Sequence, residues 1–336
     1  MSEALILQPN TITLPTITAN PVDVYINSLS SRRSQETMKT ALRSVVRVMG
    51  AEGWANIEAD ALTDDDVRAV SWQNLTRSHL DALRAALIRT YEPASALLRI
   101  NAIRGVMKKA WNAELMTTDA YMRAVQVDPI PVHQTETGRA LSKEEISKLL
   151  TACAESDHFA ASRDAAVLAV MIFGGLRREE ACKLDVSDYD PAEASLKVKG
   201  KGKKNRTTYL CEDGMDVLNT WLERRAQKAK PSQKHLFLTF HCDGRLVRPE
   251  RMTTATVNVI VRRICLRAGV PVITPHDCRR TFATLLFQNG ADLFLVQSLM
   301  GHSKPETTKR YDKRGEANKR AVVELLSLKG GTISEI

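Results

Sequence analysis

The stretch from Thr274 to Tyr311, TPHDCRRTFATLLFQNGADLFLVQSLMGHSKPETTKRY, confines its part of the chain to three short helices with marked ends. Thr274, Pro275 and Asp277 read as N-cap, first-turn proline and first-turn acid, so a helix is expected to start here. It places His276 and Arg279, three residues apart, on one face. Phe282, Leu285, Leu286 and Phe287 supply the packing positions, and Asn289-Gly290 stops the helix. Asp292 caps a second helix with Val296, Leu299 and Met300 inward; Gly301 ends it and is expected to leave His302 exposed. Ser303 with Glu306 forms an S-x-x-E cap for a third helix running to Tyr311. One compact run thus delivers two histidines, an arginine and a tyrosine.

The length of 336 residues and 43% hydrophobic content allow a sizeable core and favour two domains over one. The net charge of +9 favours a polyanionic partner, and its distribution is uneven. Through Glu136 the chain carries 14 Lys and Arg against 15 Asp and Glu; the remainder carries 34 against 24. The C-terminal part is the basic one. Six cysteines, Cys153, Cys182, Cys211, Cys242, Cys265 and Cys278, lack C-x-x-C spacing, which argues against a zinc site or a disulfide framework. The N-terminus has no basic segment followed by an apolar core, and no window reaches membrane-spanning length, so a cytoplasmic, reduced protein is expected.

In chain order, residues 1–20 read as a flexible arm, either a disordered end or one that docks on a partner protomer. Residues 21–127 read as an all-helical domain, with helices over Val22–Leu29, Gln35–Met49, a segment from Asp64, Ser78–Arg89 and Pro93–Leu115. On the last, Arg99, Arg104, Lys108 and Lys109 recur along a face that is either solvated or in contact with an anion. Residues 128–138, with two prolines and no periodicity, read as an extended linker able to span roughly 30 Å.

From residue 139 to 336 a mixed, mainly helical domain with a small antiparallel sheet is expected. Ser142 and Glu145 start its first helix, and Arg163–Phe173 form a nearly all-apolar, buried one ending at Gly174-Gly175. Arg177 follows, its backbone held against the core while its guanidinium projects. Three strands are expected, at Val186–Tyr189, Ala194–Val198 and Arg206–Leu210, the last two joined by the cationic turn KGKGKKN. Met215–Lys228 and Thr253–Ala268 read as helices, the latter bearing Arg262, Arg263 and Arg267, with a short strand at His235–Thr239 between them. Gly315–Leu328 reads as an amphipathic helix that packs on its own domain or on a neighbouring protomer.

Singly, each candidate residue is weak; the set is not. Arg177 and Arg279 are suited to bidentate contact with phosphate oxygens and to stabilising charge on a pentacoordinate phosphorus. His276 and His302 add hydrogen-bond donors or proton transfer near neutral pH, Lys201 on the hairpin a proton for a leaving oxygen, and Tyr311 a phenol nucleophile. The sequence offers no carboxylate cluster for Mg²⁺, so the protein itself is expected to supply the cations.

With these residues in place, the chain resembles the tyrosine recombinase (phage integrase) family, which includes the Xer and Cre recombinases. GGLRREE resembles the first arginine box at Arg177, GKGKKNR the hairpin box at Lys201 and HDCRRTFAT the H-x-x-R box at His276 and Arg279. MGHS matches at His302 and TTKRYDK at Tyr311. Cys278 stands where leucine is more usual and Arg280 where histidine is frequent; neither is a catalytic position. The resemblance implies a site-specific DNA recombinase whose two domains, the N-terminal one core-binding and the C-terminal one catalytic, clamp duplex DNA bearing inverted-repeat half-sites. It implies attack by Tyr311 to give a 3′-phosphotyrosyl link and a free 5′-hydroxyl, with no cofactor, ATP or metal, and a homotetramer in the synaptic complex. A type IB topoisomerase, with the same chemistry but no partner duplex, and a non-catalytic DNA-binding factor are the competing readings.

Overall fold

The computed structural model describes residues 19–54, 62–132, 138–156, 158–200, 205–240 and 247–312. Nearly all of the expected N-terminal arm, the middle of the expected linker, Lys201 with its turn, Cys242 and the expected C-terminal helix lie outside the described residues. The chain divides into two compact units, residues 1–135 and 136–336.

The first unit is all helical where described: α1 (Pro21–Asn27), α2 (Arg32–Ala51), α3 (Asp64–Ala69), α4 (Arg77–Thr90), α5 (Pro93–Asn112) and α6 (Thr118–Val125). Local sequence fixes the starts. Asn20 caps α1 with Pro21 in its first turn, Ser31 caps α2, and reciprocal caps join Thr63 to Asp66 and Thr76 to His79. Leu42, Val45, Leu83, Leu87, Ile103 and Met107 interlock in the core with no measurable exposure. The basic row read on α5 divides. Arg99 donates to Ser44 and lies over the Tyr91 ring, and Arg104 donates to the carbonyls of Val125 and Val127, while Lys108 stays exposed. Helix α6 is absent from the sequence expectations. It is a short helix after a turn, capped by Thr117, whose hydroxyl accepts from the Ala120 amide, and held in place as Tyr121 stacks on Trp111 with ring centres 4.9 Å apart.

The stretch read as a linker from Asp128 is anchored at both described ends. Arg84 donates to the carbonyls of Asp128 and Pro129, and Ile130 is buried in the helical core. At the far end the carbonyl of Gly138 accepts from Arg280, and the amide of Arg139 donates to Asp277.

The second unit is built around α8 (Phe159–Ile172), whose residues from Ala160 on are all buried. Helices α7 (Lys143–Ala154), α10 (Glu212–Ala226) and α12 (Pro275–Gln288) pack against it. An apolar helix of this kind needs partners on every side, which explains the layering. Two charged residues are enclosed with it. Asp164 accepts from Arg163 and is also paired with Arg263 of α11 (Thr254–Ala268), and Arg163 donates on to the carbonyl of Leu238. Among the described residues no helix is long and apolar enough to cross a membrane.

A three-stranded antiparallel sheet, β1 (Tyr189–Asp190), β2 (Ser195–Lys199) and β3 (Asn205–Tyr209), lies beside this core in the order β1-β2-β3. Leu196 and Val198 face inward while Lys197 and Lys199 face out, the alternation the sequence displays. The expected strand at Val186–Tyr189 is instead a 3-10 turn over Val186–Asp188 leading into β1, because Asp185 and Asp188 close a reciprocal cap there. The strand expected at His235–Thr239 reduces to a single bridge between Asp185 and His235, followed by β4 (Thr239–Phe240) paired with β5 (Val247–Arg248). The mainly helical fold with a small antiparallel sheet therefore stands, with less strand than expected.

Candidate active site

Short connections at the end of α8 and the starts of α9 (Arg178–Lys183) and α12 position the site. Gly175 takes φ +64°, and a Cβ there would sit 2.4 Å from the Phe282 ring, so only glycine fits between α8 and α12. Arg177 follows as the N-cap of α9. Its backbone amide donates to Glu180 Oε2 at 2.8 Å and its guanidinium to Glu180 Oε1 at 2.8 Å and to the carbonyl of Gly301 at 3.4 Å, while 43% of the side chain stays open to solvent.

The expected cap of α12 is present. Thr274 and Asp277 cap each other, Pro275 occupies the first turn, and His276 and Arg279 emerge three residues apart. Arg279 is 1% exposed. Its guanidinium donates to the carbonyls of Gly175 and Met300, tying the end of α8 to the end of α13 (Leu293–Met300), and lies 3.8 Å from Glu180. Burial and the neighbouring charge of Arg177 pull its pKa down to about 9, so it remains a cation at neutral pH. Arg177, His276 and Arg279 line one cleft of about 600 Å³, together with Arg178 and with Asn258 and Arg262 of α11.

Asp292 caps α13 and Gly301 ends it at φ +61°, as its sequence predicts. Two expectations downstream are corrected. The Ser303–Glu306 cap is not formed: α14 (Pro305–Lys309) starts at Lys304 with Pro305 in its first turn, since proline supplies the helical φ without a side-chain cap. His302 is half-buried rather than exposed, because α14 folds back and Thr308, fully buried, brings its Oγ1 to 2.8 Å from His302 Nδ1. Tyr311 follows α14 and is 6% exposed; its hydroxyl lies 3.2 Å from His276 Nε2, and its ring centre is 6.3 Å from that of His302.

Both histidines are shifted toward the neutral form. Partial burial, then the charges of Arg280 and Arg279, lower the pKa of His276. Burial with Arg279 and Arg177 nearby lowers His302 to about 3. Of the six sequence candidates, Arg177, His276 and Arg279 line the cleft, Tyr311 reaches His276 and His302 lies beside Tyr311; Lys201 lies outside the described residues.

Three participants escaped the sequence reading. Glu180 sits among the arginines; burial alone would raise its pKa, but hydrogen bonds from Arg206 and Arg177 outweigh that and hold it down at about 2. Its three-residue spacing from Arg177 was a legible capping signal. Arg206 of β3 and Thr308 left no such local mark.

Residues 139–317, more than half of the chain, match the family described as Phage integrase family. The chain belongs to this family, the tyrosine recombinases, and is an enzyme of site-specific DNA recombination. It is 30% identical over 247 residues to a tyrosine recombinase XerC of Corynebacterium efficiens, covering 72% of this chain and 76% of that one. To the XerC of Azotobacter vinelandii it is 30% identical over 293 residues, covering 86% and 90%. In fold it is similar to the Tn1549 transposon integrase in complex with transposon right end DNA (TM-score 0.66, 15% identity, 92% and 99% covered). It is likewise similar to the XerH site-specific recombinase in its post-cleavage complex with palindromic difH substrate (TM-score 0.60, 22% identity, 75% and 72% covered).

Proposed function

We propose that this recombinase binds duplex DNA and cuts it by attack of the Tyr311 hydroxyl on a backbone phosphate, forming a 3′-phosphotyrosyl ester. The observation that carries the reading is the 3.2 Å approach of the Tyr311 hydroxyl to Nε2 of His276, a residue lining the same cleft as Arg177 and Arg279. The lowered pKa of His276 favours a neutral ring at neutral pH, so Nε2 accepts the phenolic proton as the oxygen bonds to phosphorus. Arg177 and Arg279 take the non-bridging oxygens and offset the charge that grows on them. His302, also neutral, accepts from the Thr308 hydroxyl through Nδ1 and keeps its proton on Nε2 for a phosphoryl oxygen. Lys201, by family resemblance, protonates the departing 5′-oxygen.

The bond broken is phosphorus to the 5′-oxygen and the bond formed is phosphorus to the tyrosine oxygen. A 5′-hydroxyl from a partner duplex reverses the exchange and frees the phenol. One phosphodiester replaces another of similar energy, so the cycle needs no ATP. The complexes of the Tn1549 integrase and XerH with DNA support a duplex substrate. We extend the reading to inverted-repeat half-sites, to the helical unit of residues 21–127 as a second DNA-holding domain, and to a homotetramer joining two duplexes.

The test starts from the DNA that becomes covalently trapped on the wild-type protein, sequenced to give the site. A nicked suicide duplex carrying that site is expected to give a protein–DNA adduct on a denaturing gel. Tyr311→Phe is expected to bind the duplex and form none. An undiminished adduct from Tyr311→Phe would move the nucleophile elsewhere.

A further inference from the structure

We infer that Arg206 is a positioning residue: it occupies the buried carboxylate of Glu180 so that Arg177 and Arg279 are held in place without being neutralised. The inference rests on the reading of this cleft as the strand-cleaving site.

Glu180 is 7% exposed and, among the described residues, is approached by three guanidiniums. Oε1 accepts from Arg177 at 2.8 Å and from Arg206 at 2.9 Å; Oε2 accepts from the Arg177 amide at 2.8 Å and from Arg206 at 2.9 Å, with Arg279 at 3.8 Å. Only Arg206 grips both oxygens with its guanidinium, the fork-on-carboxylate geometry that makes the strongest such pair. Its remaining nitrogen, Nε, donates to the carbonyl of Leu299 at 2.8 Å, and its side chain is 10% exposed. Arg206 therefore directs each of its three guanidinium nitrogens at protein and is nearly enclosed, whereas Arg177, which donates to Glu180 and at 3.4 Å to the carbonyl of Gly301, keeps a side chain 43% exposed.

The charge balance gives the reason for such a residue. One carboxylate among three guanidiniums leaves two positive charges, and the carboxylate is needed because Arg177 and Arg279 would otherwise face each other as like charges in a partly buried site. Without Arg206 the same carboxylate would turn wholly to Arg177 and Arg279, drawing them away from any phosphate and leaving one net positive charge in place of two. The seat for Arg206 is itself shaped by the turn after α13. Gly301 adopts φ +61°, and a Cβ there would meet Arg206 Cδ at 2.9 Å. Because Arg206 belongs to β3 and Leu299 to α13, the contact also fixes the sheet against the helix that leads to His302.

The experiment compares Arg206→Met, Glu180→Gln and the double variant on the nicked suicide duplex, measuring duplex affinity and the single-turnover rate of adduct formation at saturating protein. Arg206→Met is expected to bind within about twofold of wild type and to cleave about 100-fold more slowly, the scale of a misplaced reacting group. Glu180→Gln keeps an acceptor for the Arg177 amide but removes the charge. Added to Arg206→Met, it is expected to restore the rate about tenfold, a rescue that a purely structural role would not give. A double variant no faster than Arg206→Met, or a loss of affinity with the saturated rate intact, overturns the inference; the latter would make Arg206 a phosphate ligand. Should Arg206→Met fail to fold by circular dichroism, Arg206→Lys with and without Glu180→Gln reads the same rescue, since lysine cannot span both oxygens. If Tyr311→Phe still forms the adduct, the underlying site reading fails. A Tyr311-dependent adduct whose rate ignores Arg206→Met overturns only this inference.

Discussion

Thr308→Val isolates the role of one hydroxyl. Valine keeps the branched shape of threonine at this fully buried position and removes only the group 2.8 Å from His302 Nδ1. His302 Nδ1 is then left without that partner in a half-buried site, which costs about 1–3 kcal/mol of stability. In a unit of this size, each kcal/mol lowers the thermal midpoint by about 2–4 °C. The catalytic effect is bounded differently. A hydrogen bond with a net value of about 1 kcal/mol biases the histidine tautomer by roughly fivefold, so losing it leaves a sizeable fraction of His302 with its proton still on Nε2. Cleavage is therefore expected to fall by less than about tenfold. His302→Ala, which removes the donor outright, is expected to cost about 10²–10³-fold. Single-turnover adduct formation on the suicide duplex, alongside a thermal melt, reads both quantities. A Thr308→Val rate as low as that of His302→Ala, or an unchanged thermal midpoint, would refute the assignment of Thr308 as the group that orients His302.

Two further predictions concern pH and the buried ion network. Protonating His276 removes the acceptor for the Tyr311 proton, and its pKa in the folded protein lies below 6.5, so the acid limb of the cleavage rate is expected below pH 6.5; a midpoint at or above that value contradicts the assignment. Stability follows the same sign. The unfolded chain takes up protons near pH 6.5 and the folded one resists, so stability is lost as pH falls from about 6.5 toward the His302 value of about 3, visible as falling urea midpoints. Asp164→Asn leaves Arg163, 6% exposed at its side chain, without its charge partner and is expected to destabilise the second unit by about 3–5 kcal/mol in urea unfolding. A loss below about 1 kcal/mol would show that the guanidinium of Arg163 reaches solvent once Asp164 is neutral.

What the sequence determined by itself is local. Caps at Ser142, Thr274 and Asp292, the glycine stops at Gly290 and Gly301, and the all-apolar run of α8 are readable because a helix end is satisfied by residues within one turn and a buried helix shows itself by composition. The residue types of the site were readable for a related reason: their spacing places His276 and Arg279 on one helical face. Where two local signals competed, the reading erred, as at Ser303 and Glu306, where Pro305 set the start of α14, and at Val186, where paired aspartates formed a turn. The tertiary fold alone decided which distant groups meet. It brought Arg206 to Glu180, 26 residues away, Thr308 back onto His302, and Tyr311 to His276 across 35 residues. Such pairings depend on how α8, α12, α13 and the sheet pack, and no periodicity along the chain encodes a charge balance that exists only once three guanidiniums surround one buried carboxylate.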